Sequence, residues 1–445
     1  MDKAKAFFKG KKVTVLGLGL LGKGLGDTAF LAQCGAQVTV TDLKTAKELA
    51  PSVALLKKYK NVRFVLGGHD MSDFENCDIV LKAQGIPLDS PYIAHARKNG
   101  IPIRMDDELF AAFAPKGVKI IGVTGTRGKT TVTSLIYHTL KHAGKKVHLG
   151  GNIRGVATLA LLKKVKAGDF VVLELSSWQL QGFGEQKISP TISVFTNFMP
   201  DHMNYYKQNL DAYFADKAFI FSNQKAGDVL VVSNNFKKKI PKSYAGTLAV
   251  VNVQDIPKSW KLPIPGEHNR ENIALAVGAL RACKLPLAKI RAGIESFTAV
   301  EGRLQLVKTA RGVQIYNDNN STTPEATIAA LKSFPNTKNQ KPKTIVLIMG
   351  GADKGLDTTE LLKTAEEYAH TIILLSGSGT EKLKAQSSKL QAYEAESIKD
   401  ALNSAIASAE KGDVVLFSPG FASFGAFINE YDRNDQFLAL VKKLR

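Results

Sequence analysis

The sequence is poor in cysteine and has no long hydrophobic run. Its three cysteines, Cys34, Cys77 and Cys283, are scattered over 445 residues, so they form neither a disulfide framework nor the spacing of a zinc site. Such sparing use favours a reducing cytoplasm. No apolar run is long enough to cross a bilayer, and the first residues lead almost directly into an expected strand rather than into a secretory signal. We therefore expect a cytoplasmic protein without membrane insertion.

Acidic residues are outnumbered by basic ones, with 40 Asp and Glu against 60 Lys and Arg and a formal net charge of +20. The basic residues are spread along the chain, and neither an aromatic-interleaved basic tract nor a zinc-finger spacing occurs. This distribution argues against nucleic acid as a partner and favours small anionic substrates. A chain of this length is too long for one hydrophobic core, so we expect several domains.

The stretch 122–131, Gly-Val-Thr-Gly-Thr-Arg-Gly-Lys-Thr-Thr, is the strongest local signal. An apolar strand leads into it and an amphipathic helix, Thr130 to Ala143, follows. Backbone N–H groups of such a loop, a helix N-terminus and Lys129 would bind phosphates, and Thr130 would offer a hydroxyl to Mg²⁺. The strict phosphate-loop pattern has Gly at position 123, where this chain has Val123. A glycine-rich turn without a ligand is therefore the alternative.

The first hundred residues contain a second glycine-rich turn. Gly17 to Gly22 forms a G-x-G-x-x-G pattern between a strand, Lys12 to Leu16, and a helix, Ala29 to Gln33, and Asp42 follows 20 residues after Gly22. This arrangement is typical of a Rossmann unit whose acid binds a ribose. The same turn can hold any diphosphate, including that of a UDP-sugar, and Asp42 could instead cap the next segment.

Two further residues are candidates because they lie at or after the ends of strands, and a third, Lys217, lies in a helical segment. Glu174 lies near the end of an apolar strand, where phosphate-loop domains place a metal-binding acid. His202 follows the strand Thr191 to Thr196 and could bind a metal as a neutral imidazole, or be an ordinary loop histidine. Lys217 would ordinarily be a solvated helix lysine.

Five motifs occur in order along the chain: the loop at 122–131, Gly-Gly-Asn at 150–152, Glu-Leu-Ser-Ser-Trp-Gln-Leu at 174–180, Asp-His-Met at 201–203 and Gly-Glu-His-Asn-Arg-Glu-Asn at 266–272. This series resembles the ATP-dependent Mur ligase family of peptidoglycan synthesis, in which the displaced first glycine is the usual form of the loop. The run at 174–180 is most similar to the branch that adds glutamate to UDP-N-acetylmuramoyl-L-alanine.

The resemblance implies an α/β fold with three domains. Residues 1–112 would form a Rossmann-like domain for the UDP substrate, 113–302 a P-loop-type ATPase domain, and 303–445 a doubly wound, Rossmann-like domain for the amino acid. It implies ligation through an acyl phosphate, with ATP as co-substrate, Mg²⁺ as cofactor and small molecules as the partners. We expect a monomer whose domains close on the substrates.

The family motifs assign roles residue by residue. The implied catalytic residues are Lys129, Glu174, His202 and Lys217. The implied metal ligands are Thr130, Glu174, His202 and Lys217, the last after CO₂ has converted its amine to a carbamate. The implied ATP contacts are Gly125, Thr126, Arg127, Gly128, Lys129, Thr130, Thr131, Asn269, Asn272, Arg303 and Asp318. The implied substrate contacts are Leu20, Leu21, Asp42, Gly85, Asn152, Ser176, Gln179, Thr322, Lys354, Ser423 and Phe424.

The chain departs from the family pattern on the substrate side. A family lysine is replaced by Asn320, the usual Ser-Pro-Gly-Ile is Ala-Gln-Gly-Ile at 83–86, and an aromatic position corresponds to Glu430 with Tyr431 beside it. An L-glutamate-adding relative has a Ser-Thr-Thr-Pro run like that at 321–324, so the choice between D- and L-glutamate is open. Parts of the pattern would also suit a folylpolyglutamate-synthetase-like ligase, a nicotinamide oxidoreductase or a non-catalytic nucleotide-binding scaffold.

Overall fold

The structure is a computed structural model that describes residues 1–334, 344–386 and 392–444. Its strands form three separate sheets, which are covered by helices that connect successive parallel strands. The predicted α/β class is confirmed. Within the described residues, no helix is both long enough and apolar enough to span a membrane.

The first sheet has the strand order β3-β2-β1-β4-β5, and every pairing is parallel. Its strands are β1 (Lys12–Leu16), β2 (Gln37–Asp42), β3 (Val62–Leu66), β4 (Ile79–Lys82) and β5 (Ile103–Arg104). The accompanying helices are α1 (Asp2–Phe8), α2 (Lys23–Gln33), α3 (Ala50–Leu56), α4 (Pro91–Lys98) and α5 (Asp106–Phe113). The helix α1 precedes β1, whereas we expected the chain to enter that strand almost directly. The order reverses at β1, where open parallel sheets bind ligands beyond their carboxyl ends.

The second sheet is also entirely parallel, in the order β11-β10-β9-β6-β8-β7. Its strands are β6 (Lys119–Thr124), β7 (Val147–Gly151), β8 (Phe170–Glu174), β9 (Ile192–Phe195), β10 (Val229–Ser233) and β11 (Thr247–Val251). The helices are α6 (Lys129–His142), α7 (Ser177–Glu185), α8 (Leu210–Ala218), α9 (Glu267–Ala282) and α10 (Leu287–Glu295). The central strands are apolar on both faces, as parallel strands covered by helices require.

The third sheet has the order β12-β13-β17-β14-β15-β16, in which β12 and β13 form an antiparallel hairpin and the other pairings are parallel. Its strands are β12 (Gln305–Ala310), β13 (Val313–Asn317), β14 (Ile345–Gly350), β15 (Ala369–Leu375), β16 (Ala392–Ala395) and β17 (Val414–Phe417). The helices are α11 (Pro324–Leu331), α12 (Thr359–Tyr368), α13 (Ser378–Gln386), α14 (Ile398–Ser408) and α15 (Glu430–Lys443). Apolar clusters cover both faces, so this region is doubly wound.

The chain separates into two compact units. One consists of Met1–Pro257 with Asn272–Ile294 and contains the first two sheets; the other consists of Lys258–Glu271 with Glu295–Arg445 and contains the third. One continuous apolar cluster in the first unit includes residues from both of its sheets, such as Val40, Leu173 and Phe195. The division into three domains at 112 and 302 stays a prediction.

Candidate active site

The loop between β6 and α6 has a backbone that requires glycine at two positions. Gly125 has φ of 140° and Gly128, which caps α6, has φ of 82°. A Cβ atom would lie 1.9 Å from the Thr196 hydroxyl oxygen at position 125, and 2.3 Å from the Asn272 side-chain oxygen at position 128. Only glycine fits such close approaches. The loop therefore curls tightly against its neighbours, as a phosphate-binding loop must.

The loop is anchored by its own lysine and by the segment after β9. The ammonium of Lys129 donates to the carbonyls of Gly125 and Thr126, at 3.1 and 3.0 Å. The backbone N–H of Arg127 donates to the side-chain oxygen of Asn197 at 2.8 Å, and its guanidinium pairs with Asp201 at 2.9 Å. Thr130 and Thr131 follow in the first turn of α6. Positive charge and helix N–H groups thus meet where phosphates would bind.

Glu174 ends strand β8 directly beside this loop. The parallel register pairs it with Val123 of β6, and its side chain is 3% exposed. One carboxylate oxygen accepts from the Asn152 amide at 3.2 Å, whereas Oε2 is buried without a hydrogen-bond partner in the described part of the chain. Asn152 in turn accepts from the Gln84 amide at 2.8 Å. A buried oxygen without a partner suits a cation ligand.

Lys217 is buried, not solvated. Its Nζ donates to the Gly125 carbonyl at 2.8 Å and lies 4.7 Å from the centre of the Tyr213 ring. Burial, followed by the charge of Lys129, lowers the pKa of the Lys217 amine well below its ordinary value. A neutral amine is therefore favoured at this position.

His202 has φ of 56° and packs against Trp178, with ring centres 4.7 Å apart and ring planes inclined at 45°. Burial lowers its pKa, against a smaller opposing effect of Asp201. The neutral imidazole that results is the form that binds metals.

The described residues contain no group of three His, Cys, Asp or Glu side chains placed to hold a metal ion. The set implied for Mg²⁺ nevertheless fits the chemistry of the cation. Glu174 offers a free carboxylate oxygen, Thr130 a hydroxyl and His202 an imidazole, while a carbamate on Lys217 would add an anionic oxygen where an ammonium would repel the ion.

A cavity of about 410 Å³ lies at the carboxyl edge of the first sheet and brings together Leu20, Leu21, Asp42 and Gly85. Asp42 uses both carboxylate oxygens on the chain itself: Oδ2 accepts from the N–H groups of Leu18 and Gly19, and Oδ1 accepts from that of Lys44. It therefore fixes the glycine-rich turn and also caps the next segment.

A buried lysine, which sequence reasoning did not identify, supports the cavity wall. Lys82 ends β4 and donates to the Ile86 carbonyl at 2.8 Å, holding the loop that contains Gly85. Burial lowers its pKa to about 8. No local pattern marks this lysine, because it lies within an otherwise apolar strand.

Ser176 and Gln179 form a capping box at the start of α7. The Gln179 side chain is fully buried and its oxygen accepts from the Ser176 hydroxyl and N–H groups at 2.8 and 2.9 Å. Its amide nitrogen donates to Asp107. Both ends of this amide are engaged by the protein, while Ser176 is only half-buried.

Arg303 and Asp318 lie together at the hairpin of the second unit. Asp318 is buried and accepts from the Leu304 N–H at 3.0 Å, the Ser321 hydroxyl at 2.5 Å and the Ser418 hydroxyl at 2.8 Å. Burial raises its pKa to about 6, against smaller opposing effects of these bonds and of Arg303. Asn272 belongs to the first unit and Asn269 to the second, although both lie on α9.

The residues predicted to bind the amino acid lie on three loops, which follow β13, β14 and β17. Lys354 donates to the Thr322 hydroxyl at 3.0 Å. The backbone of Ala352 bonds reciprocally with that of Ala422, beside Ser423. Ser423 and Phe424 differ in exposure: Ser423 is buried, and Phe424 is 68% exposed.

A buried arginine that the motifs did not indicate supports these loops. The Arg433 guanidinium donates to the side chain and carbonyl of Asn319, at 2.8 and 3.0 Å, and to the Phe421 carbonyl at 3.3 Å. Asn319 directly precedes Asn320, the position at which the family resemblance implies a lysine. The helix around Arg433 is polar in sequence, so nothing local indicates that this arginine is buried.

Models of three protein domains match the chain: "Mur ligase MurD-like, N-terminal domain" over residues 11–105, "Mur ligase middle domain" over 123–243, and "Mur ligase, glutamate ligase domain" over 302–421. The three matches follow one another in the order expected from the motifs.

Curated proteins named UDP-N-acetylmuramoylalanine--D-glutamate ligase match over nearly the full length. One from Borreliella burgdorferi (strain ZS7) is 36% identical, covering 97% of this chain and 97% of that protein. One from Roseiflexus sp. (strain RS-1) is 34% identical, covering 97% and 98%. Among solved structures, a MurF ligase from Thermotoga maritima in complex with ADP superposes with a TM-score of 0.61 at 18% identity, covering 99% of this chain and 96% of that one. This last likeness concerns the fold.

Proposed function

The chain belongs to the Mur ligase family, and from this premise we propose that it joins D-glutamate to UDP-N-acetylmuramoyl-L-alanine while ATP is converted to ADP and phosphate. The full-length match to ligases of that name, at 36% identity, is the observation that carries the proposal. The geometry agrees with it, because a glycine-constrained phosphate loop lies beside a buried carboxylate with one unused oxygen.

In the first step, an L-alanyl carboxylate oxygen attacks the γ-phosphorus of ATP, and the bond to the β,γ-bridging oxygen breaks. ADP leaves and an acyl phosphate forms. Lys129 and the N–H groups at the start of α6 stabilise negative charge on the phosphates. Asn152 and Ser176 would orient the acceptor from either side of Glu174, since both are close to that residue.

In the second step, the glutamate amine attacks the acyl carbon, phosphate leaves, and an amide remains after the amine has lost a proton. Lys354 supplies a positive charge and Thr322 a hydroxyl for the carboxylates of the incoming amino acid. Little covalent work falls to the protein, so positioning of the reactants accounts for most of the rate.

Mg²⁺ would be held by Thr130, Glu174, His202 and the carbamate of Lys217, and when bound it supplies charge neutralisation at the phosphates. Carbamate formation needs an unprotonated amine to attack CO₂. The burial of Lys217 and its low pKa favour that form. Protein incubated with ¹³C-bicarbonate should show a carbamate resonance that is missing from a Lys217→Arg variant. An identical spectrum for the two proteins would refute the modification.

We place the enzyme in the cytoplasm, acting as a monomer on small molecules, with no nucleic-acid partner. The net charge of +20, spread over the chain, suits substrates that are all anions.

Phosphate release with ATP, Mg²⁺ and UDP-N-acetylmuramoyl-L-alanine tests the function when D- and L-glutamate are supplied separately. We expect turnover with D-glutamate and little with L-glutamate. Preference for the L isomer would redirect the assignment, and no turnover with either would refute it. Lys129→Met should abolish activity, whereas Lys141→Met, at the exposed end of the same helix, should retain it.

A further inference from the structure

A largely buried ion pair joins α2, the helix after the G-x-G-x-x-G turn, to α5, and its lysine also bonds to the second sheet. Lys23 is the first residue of α2, and its Nζ lies 2.9 Å from an oxygen of Asp106 and 3.0 Å from one of Asp107. It also donates to the carbonyl of Gly151, at the end of β7, at 3.3 Å. The Asp107 side chain is fully buried and that of Asp106 nearly so.

The same carboxylate reaches the second sheet by another route. The oxygen of Asp107 that pairs with Lys23 also accepts from the Gln179 amide. The other end of that amide holds the N–H and hydroxyl groups of Ser176. Gln179 is fully buried, so its amide links Asp107 to Ser176.

The two routes end on either side of Glu174. Gly151, held by Lys23, precedes Asn152, whose N–H donates to the Glu174 carbonyl at 2.7 Å and whose amide donates to the Glu174 carboxylate. Ser176 lies two residues beyond Glu174 in the chain. The network therefore fixes both segments that are predicted to contact the acceptor substrate.

Charge makes the arrangement specific. Asp27 is a third buried carboxylate near Lys23, so a single ammonium group interacts electrostatically with three acidic side chains. Burial lowers the pKa of Lys23, but the neighbouring carboxylates raise it by more than burial lowers it. The net increase in pKa keeps the Lys23 side chain cationic. A buried ion pair contributes little net stability, but it penalises every arrangement in which one partner lacks the other. Such a contact is suited to fixing the register between two elements.

We propose that Lys23 and Asp107 are positioning residues that align the binding site of the acceptor substrate, UDP-N-acetylmuramoyl-L-alanine, with Glu174. They do so by locking the segments Gly151–Asn152 and Ser176–Gln179 to the helix that follows the glycine-rich turn. Gln179 then acts through Ser176 and does not itself contact the substrate. The inference rests on the proposed function, because that function defines the acceptor. Displacement of the bound acceptor by about 1 Å from the reactive geometry is enough to lower the reaction rate greatly.

Graded variants of the full-length enzyme test this role. Asp107→Asn keeps an acceptor for the Gln179 amide and removes the ion pair, whereas Asp107→Leu removes both. We expect the KM for the acceptor to rise about tenfold and about a hundredfold, respectively, with the KM for ATP within about twofold of wild type. Lys23→Met should resemble Asp107→Asn. Calorimetric binding of the acceptor alone should weaken in the same order.

Glu108→Gln is the matched control, because Glu108 lies on the same helix α5 and forms an equally buried pair with Arg104, at 2.5 and 2.8 Å. We expect a similar fall in melting temperature with an unchanged acceptor KM. Equal effects of Glu108→Gln and Asp107→Asn on acceptor KM and binding would overturn the inference, as would an Asp107 series that alters only the melting temperature. A wild type that binds the acceptor without turnover would contradict the proposed function alone, since the binding series would still decide the positioning role.

Discussion

Gly128 combines a left-handed backbone with almost no room for a side chain. Alanine there would have to adopt φ near 82° and place Cβ 2.3 Å from the Asn272 side-chain oxygen. The conformational strain alone is about 1–2 kcal/mol. We expect Gly128→Ala to weaken ADP binding at least about tenfold, because the loop must open to relieve the contact. Calorimetric titration with ADP measures this loss.

Gly10→Ala is the control for Gly128→Ala, because it introduces a similar backbone strain without a close contact of the added Cβ. Gly10 has φ of 75°, and an added Cβ would meet nothing within 4 Å. This variant should lose some stability and keep its affinity for ADP. Equal ADP affinities for the two alanine variants would contradict the assignment of the loop.

Asp318 makes the stability of the second unit depend on pH. Burial raises the pKa of its carboxyl to about 6, from 3.8 when exposed. Since the folded protein holds this proton more tightly than the unfolded chain, stability is lost as the pH rises from roughly 4 to 6, by about 3 kcal/mol. Asp318→Asn carries no titrating group, so the wild type should lose more stability than the variant over this range. Urea unfolding at pH 4.5, 5.5 and 6.5 measures the difference; parallel curves would contradict the buried-acid interpretation.

At the scale of elements, two helices of the second unit begin differently. The Ser397 hydroxyl accepts from the Asp400 N–H at 3.1 Å and caps α14. Thr323 occupies the same position before α11, yet its hydroxyl caps nothing and is buried without a partner in the described structure. We expect Ser397→Ala to reduce the free energy of unfolding by about 1 kcal/mol. Thr323→Val should change it by less than about 0.5 kcal/mol, because no hydrogen bond is lost.

Urea midpoints of the two variants, each compared with wild type, provide the measurement. A larger loss for Thr323→Val than for Ser397→Ala would show that the Thr323 hydroxyl has a partner outside the arrangement described. The family motif implies that the neighbouring Thr322, rather than Thr323, contacts the amino acid, and this contact stays a prediction. Thr323→Val should accordingly leave the KM for glutamate unchanged.

Elements with a clear hydrophobic period were predicted well from sequence, whereas glycine-rich ones were not. The strand Lys12–Leu16 has the predicted limits, and helix α6, expected from Thr130 to Ala143, extends from Lys129 to His142. Helix α2 begins at Lys23 instead of Ala29. The reason lies in tertiary packing, since a Cβ at Gly26 would lie 2.4 Å from that of Ala157. Glycine there allows close approach and at the same time hides the helical pattern.

In the candidate site, too, some features could be predicted from the sequence and others could not. The phosphate loop and Glu174 follow from local patterns, because each depends on a strand and the residues just beyond it. The contacts of Lys23 with Asp107, of Asp107 with Gln179 and of Arg433 with Asn319 join elements 72 to 114 residues apart. No local pattern encodes such pairs, so they could not be predicted from the sequence. The substrate contact expected of Gln179 stays a prediction.

At the scale of the whole molecule, the family and the ligase class predicted from motifs are confirmed by the full-length relatives. Each of the three predicted domains contains one sheet, but the chain packs into two compact units, and the three domains stay a prediction. The reason is physical: the first two sheets share a continuous apolar cluster. Because of this shared cluster, packing does not reveal a domain boundary near residue 112, and such a boundary has to be tested separately.

The net charge of +20 leads to a prediction about ionic strength. Each proposed substrate is an anion, and a positive field raises its local concentration and association rate. Salt shortens the Debye length from about 10 Å at 0.1 M to about 3 Å at 1 M. We expect kcat/KM to fall about three- to tenfold between 0.05 and 0.5 M potassium chloride, mainly through KM, with sucrose of equal osmolality as the control. A kcat/KM that is insensitive to salt, together with binding of a duplex oligonucleotide at low salt, would contradict this interpretation of the charge. The scattered lysines predict the fall in kcat/KM, because the field of a dispersed charge attracts small anions without forming a track for a polymer.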